Sequence, residues 1–232
     1  MLPLKDDQPR HSTPWVTGFL IALNLLIFLF EASLDPKSLK TLIHQFGVVP
    51  YHLAALLAGS QRYPPLAVAA PYFTSMFLHG SWMHVIGNMW FLWIFGDNVE
   101  DYLGHFKYLS FYILTGLIAM ATQVAVNLHS TLPTVGASGA IAGVLGAYFV
   151  LYPRARVLSW FFIFVLWVPA WIILGYWFVL NFLSGTASSL SVRGQNMGGV
   201  AFWAHVGGFA AGALLVKFFG ERNRRYSYVA RG

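Results

Sequence analysis

The chain has no cysteine, which excludes disulfides, thiolate metal ligands and a cysteine nucleophile, while leaving the redox compartment open. Charge is equally scarce: 9% of the 232 residues are Asp, Glu, Lys or Arg, against 57% hydrophobic residues and a mean hydropathy of +0.62. No water-soluble domain is built this way, and the composition is that of an integral membrane protein. The H-E-x-x-H zinc signature is missing, and Asp97 has no partnered aspartate in another apolar segment. These absences disfavour a zinc protease and an aspartyl dyad. No convincing internal repeat is present, which weakens an inverted-repeat transporter. Chemistry, if any, falls to Ser, His, Asp, Glu or Lys.

What is present is apolar runs and aromatic residues. Six segments, roughly 15–33, 82–102, 107–128, 138–153, 157–182 and 199–219, have the length or composition of membrane spans, the shorter ones recessed within the protein. The nine tryptophans suit headgroup regions and require no ligand. An even span number puts both termini on one side. That side holds Lys5, Arg10, Lys107, Arg154, Arg156, Lys217, Arg222, Arg224, Arg225 and Arg231, ten of the 14 basic residues, so the termini are expected in the cytoplasm. The basic tail, 220–232, then reads as a membrane-facing end and not as a nucleic-acid site. Residues 1–14 form a short N-terminal segment, and the first span, lacking a small-residue cleavage pattern, reads as a signal anchor. The long connection 34–81 is apolar enough to lie in the interface as short amphipathic helices. The Ser/Gly-rich stretch "SGTASSLSVRGQNMGG" is expected to be a mobile loop.

Polar side chains inside spans are costly and demand a reason. Three clusters stand out: "FLHGSWMHVIGNMW", "GASGAIAG" and "FWAHVGGFAAG". All three fall toward the ends of spans that enter from the same outer side. Singly, each has a structural explanation. Ser138 among Gly139, Gly143 and Gly146 is a small residue on a packing face, His205 beside Gly208 and Gly212 is an interhelical hydrogen-bonding group, and His84 with Asn88 is a buried bridge. Together they suit a reaction. A serine hydroxyl needs a base, and imidazole is well matched to that task. The two glycine faces would let the helices approach closely enough for Ser138 to meet His205. His84 and Asn88, four residues apart, share one helix face and can donate to a developing oxyanion with the Ser138 backbone N–H.

These motifs resemble those of the rhomboid intramembrane serine proteases of the compact six-span bacterial type. The family's H-x-x-x-N is found at His84 to Asn88, its G-x-S-G at Gly136 to Gly139, and its A-H-x-x-G-x-x-x-G at Ala204 to Gly212. The resemblance implies an all-α polytopic membrane fold of six helices over 15–219 with a long interfacial first outer loop. It implies Ser138 as nucleophile, His205 as general base and acid, and His84 and Asn88 as oxyanion stabilisers. His79 and Glu100 match structural positions. It implies no metal or cofactor, transmembrane proteins as substrates within the lipid bilayer, and a bacterial inner membrane with the site opening outward. A catalytically silent, client-binding relative is the alternative. Two departures stand out: the position of a stacking tyrosine found in some relatives is Ala142, and the Trp-Arg pair of many outer loops is absent.

Overall fold

A computed structural model describes residues 2–190 and 201–220. The elements run β1 (Leu2–Asp6), α1 (Trp15–Ser33), α2 (Pro36–Phe46), α3 (Pro50–Leu57), α4 (Pro65–Thr74), a 3-10 turn (Ser75–Phe77), α5 (Trp82–Leu103), α6 (His105–Val126), α7 (Ser138–Leu151), β2 (Arg156–Phe161), β3 (Phe164–Pro169), α8 (Ala170–Leu190) and α9 (Phe202–Phe219). Among the described residues four helices, α1, α6, α8 and α9, are long and apolar enough to cross a membrane. α5 is as long but carries Asp97, Glu100 and Asp101 in its last two turns.

Helix α7 is the hub. Its residues from Gly139 to Tyr148 are all buried, as expected of a helix that is apolar on every side. It packs on α5, α6, α8 and most extensively α9. At 14 residues it is only about 21 Å long, shorter than the helices around it. The α7–α9 contact is made by backbone. A methyl group added at Gly208 would lie 2.1 Å from the Gly139 carbonyl oxygen, and one at Gly212 only 1.9 Å from that of Gly143. On the other faces of α7, Gly139 lies against Ala119 and Gly143 against Thr115 of α6.

Buried carboxylates tie α1 to the rest. α1 begins after Pro14 with no side-chain cap of its own. Glu100 of α5, fully buried, supplies the missing acceptor, taking hydrogen bonds from Val16 N at 2.9 Å and Thr17 N at 2.8 Å and a third from His105 Nδ1 at 2.6 Å. The orphan N–H groups of a helix start are thus satisfied from a neighbouring helix. At the other end of α1, Glu31 accepts from the backbone of His79.

The structure corrects three expectations. The segment 157–182 is not one helix: it opens as the hairpin β2–β3 and becomes helical only at Ala170. β2 pairs with both β1 and β3, all antiparallel, so the fold is mainly helical and not all-α. A continuous apolar run cannot by its periodicity separate strand from helix, and the β-branched and aromatic residues of "RVLSWF" and "FVLWVP" favour strand. Phe162, at φ 51°, turns the chain. The Ser/Gly-rich stretch is helical through Leu190, Ser189 Oγ accepting from Trp203 Nε1 at 3.0 Å; its remainder, 191–199, and the basic tail from 221 onward lie outside the described residues.

Candidate active site

The three polar clusters converge at one end of α7. Ser138 is its first helical residue, following Ala137 in the αR region and Gly136 at φ 133°. Gly136 is needed twice here: its φ is one that other residues rarely adopt, and a methyl group on it would lie 2.8 Å from both Cε1 and Nε2 of His84 and 3.5 Å from Ser138 Oγ. The imidazole of His84 therefore rests against bare backbone beside the serine. The backbone N–H groups in the first turn of α7, Ser138 included, have no intrahelical acceptor and sit at the positive end of the helix dipole.

Ser138 Oγ lies 2.8 Å from His205 Nε2. His205 comes from α9, where it is 8% exposed, and the glycine contact of α7 with α9 starts at the residue after Ser138 on α7 and one turn after His205 on α9. Which nitrogen carries the proton follows from a residue the sequence reading overlooked. Asn181 of α8 donates through Nδ2 to the carbonyl of Trp177 at 2.8 Å, which fixes its amide orientation and presents Oδ1 to His205 Nδ1 at 2.6 Å. An amide oxygen can only accept. Nδ1 therefore holds the proton, and the Nε2 lone pair faces the serine hydroxyl.

Trp177, one turn before Asn181, places its ring 5.4 Å from the imidazole with 34° between planes. An aromatic ring thus lies against His205 from α8, where Ala142 offers none. The pair was present in the sequence as two residues four apart on an apolar segment, but an isolated Asn in a span is more often a packing residue.

On α5, Ser81 caps the helix by accepting from His84 N at 3.2 Å. Asn88, 8% exposed, donates from Nδ2 to His79 Nε2 at 3.0 Å. His79 also meets His84 edge to face, with ring centroids 5.2 Å apart. His79 thus holds both members of the His84/Asn88 pair, its own backbone held by Glu31. His84, Asn88, Ser138, Trp177 and His205 all line one open cavity of about 790 Å³, whose apolar walls include Phe91 of α5 and Leu145 of α7. Chemically, the cavity brings together a hydroxyl, an imidazole with its lone pair on that hydroxyl, and nearby donors able to receive negative charge.

Comparison with known proteins gives the lineage. The Rhomboid domain family model matches residues 68–222, from α4 to just past α9. The chain belongs to the rhomboid family. Rhomboid protein 1, mitochondrial, of Saccharomyces cerevisiae is 33% identical over 166 residues, 68% of this chain and 45% of that protein. Presenilin-associated rhomboid-like protein, mitochondrial, of Mus musculus is 26% identical over 213 residues, 88% of this chain and 48% of that protein. Rhomboid-like protein 11, chloroplastic, of Arabidopsis thaliana is 32% identical over 217 residues, 91% of this chain and 68% of that protein. The rhomboid chain thus spans less than half the length of the yeast and mouse relatives. These matches also overturn the expectation of a bacterial inner membrane, since they point to an organellar eukaryotic membrane. Span lengths and loop charges report only that a bilayer is crossed, and bacterial and organellar membranes impose the same rules.

Proposed function

We propose that this rhomboid protein is an intramembrane serine endopeptidase that cleaves transmembrane segments of membrane proteins. The observation that carries the proposal is the 2.8 Å contact of Ser138 Oγ with an His205 Nε2 whose lone pair is turned to it by Asn181. In this reading α1, α5, α6, α7, α8 and α9 form six spans of one membrane domain over 15–219, with both termini on the same side and the catalytic cavity opening on the other. The connection 34–81, folded as α2 to α4, lies along the interface on the cavity side.

The substrate segment enters sideways between α5 and α8, which make at most slight contact among the described residues, and unwinds to present a carbonyl to Ser138. As Oγ attacks, its proton passes to His205 Nε2. The resulting imidazolium is held by Asn181 Oδ1 and covered by Trp177. The carbonyl oxygen becomes an oxyanion received by the Ser138 N–H and by His84 and Asn88. His205 then gives its proton to the departing amine, leaving an acyl-enzyme. A water entering from the open side, deprotonated by the same nitrogen, releases the acid and restores the serine. By family resemblance the residue before the scissile bond is small. No step calls for a metal.

The alternative is a client-binding rhomboid relative without activity. It gives no reason for a hydroxyl, an oriented base and oxyanion donors to share one cavity. A fluorophosphonate separates the two readings: Ser138 is labelled in the wild type and not in His205→Ala if the dyad works, whereas a wild-type serine that stays unlabelled refutes the enzyme reading.

A further inference from the structure

The β1–β2–β3 sheet is not used by the catalytic reading, and its surface is unusual. Phe162 and Ile163 at the hairpin turn are 96% and 84% exposed, and Trp160, Phe164, Val165 and Leu166 are each more than half exposed. A continuous apolar surface of this kind is a liability in water. Its depth is fixed by β1, which is docked on α5 at two levels. Asn98 donates to Asp6 Oδ2 at 3.0 Å, and Trp90 Nε1 donates to the Pro3 carbonyl at 2.6 Å. Eight residues of helix separate these contacts, a rise of about 12 Å.

The register carries that height into the hairpin. Asp6 pairs with Val157 and Leu2 with Trp160, so the turn at Phe162 lies beyond the level of Trp90. The opposite end of the sheet is polar. Arg156 is bonded to Asp7 through N at 2.8 Å and Nε at 2.9 Å, Lys5 and Arg156 each lie 5.8 Å from the ring of Trp167, and Arg10 approaches Asp97 at 4.0 Å. Cations and a tryptophan together at the base and hydrocarbon at the tip match the profile of a leaflet from headgroup to acyl chain. Directly after Pro169 the chain enters α8, itself apolar enough to cross.

We propose that the β2–β3 hairpin is a re-entrant element inserted into the leaflet on the side bearing the termini, with lipid acyl chains as its partner. The outer edge of β3, which pairs with no strand among the described residues, sets how far it reaches. Each backbone N–H or C=O pointing off that edge goes unpaired once it enters hydrocarbon, so only the turn and the adjoining ends of β2 and β3 are inserted and the base stays among headgroups. With a headgroup layer roughly 5–8 Å thick, a rise of about 12 Å puts the level of Trp90 about 4–7 Å into the acyl region, with the turn deeper still. The sheet touches α5 through β1 and continues into α8, so it ties together the ends, on the side of the termini, of the two helices between which the substrate is proposed to enter.

The absence of cysteine makes the test direct. Phe162→Cys and Ile163→Cys are each nitroxide-labelled in the full chain, reconstituted in phosphatidylcholine/phosphatidylglycerol vesicles, and compared with labelled Arg62→Cys. Both tip positions are exposed, so the substitutions remove no packing. The proposal predicts an oxygen-to-nickel-chelate collision ratio severalfold higher at the tip than at Arg62→Cys; equal ratios overturn it. Bromine at mid-chain of the lipid should also quench more fluorescence in wild type than in Trp160→Phe, and equal quenching counts against insertion. Short-range dipolar broadening between tip labels that vanishes on dilution with unlabelled protein would show a second copy, not lipid, covering the tip, and would also overturn it. None of these readouts depends on proteolysis.

Discussion

Replacing Gly208 with alanine tests whether helix spacing sets the chemistry. The added methyl carbon would sit 2.1 Å from the Gly139 carbonyl oxygen, while real contacts of this kind stay above 3.0 Å. The obstacle is backbone on both helices, so no rotamer relieves it, and α7 and α9 must part by about 1 Å. Gly208 is one turn from His205, and Gly139 is next to Ser138, so that separation passes almost undiminished to the reacting atoms. The 2.8 Å contact between Oγ and Nε2 would stretch beyond hydrogen-bond range. Misplacement by about 1 Å costs on the order of 100-fold in rate, with an overpacking penalty of about 1–3 kcal/mol in stability. The assay is the cleavage rate of a single-span substrate in vesicles, with thermal unfolding followed in parallel. Gly18→Ala is the control, since nothing lies within 4 Å of its new methyl group. A folded Gly208→Ala protein that cleaves within about twofold of wild type would refute the claim that the glycine contact positions the dyad.

Asn181→Ala should lower kcat by about 10- to 100-fold, the worth of one hydrogen bond to a charged group, with KM nearly unchanged; an equal loss in KM would make Asn181 a binding residue instead. Glu100→Gln weakens the acceptor that caps α1 at Val16 and Thr17 and should reduce stability by about 1–2 kcal/mol, seen as a lower melting temperature with a normal cleavage rate for the folded fraction. Burial raises the Asp6 carboxyl to about 6 despite the hydrogen bond from Tyr148. A carboxyl raised above its ordinary value contributes stability that is full below that value and lost as pH climbs through the folded one. Protection of the β1 amides, corrected for intrinsic exchange, should therefore fall between about pH 4 and 6.5, and Asp6→Asn should flatten the trend.

The apolar runs were legible because a bilayer demands them. α1, α5, α6, α7 and α9 begin and end within a few residues of the segments read from sequence. The His84, Asn88, Ser138 and His205 cluster was legible because polar groups in spans are rare enough to be conspicuous. The hairpin was not, since an unbroken run of Val, Leu, Phe and Trp satisfies strand and helix alike until a pairing partner is known, and that partner, β1, is about 150 residues distant. Asn181 escaped for a related reason. Its role depends on Trp177 turning its amide and on α8 lying beside α9, neither of which is local information. Glu31 likewise acquires its meaning only where the chain returns at His79.

The most direct test of the account is to incubate purified protein with a reconstituted single-span substrate and identify the products by mass spectrometry, wild type beside Ser138→Ala. The account predicts a single cut near the end of the span on the cavity side by wild type and none by Ser138→Ala. Equal cleavage by both proteins would contradict it.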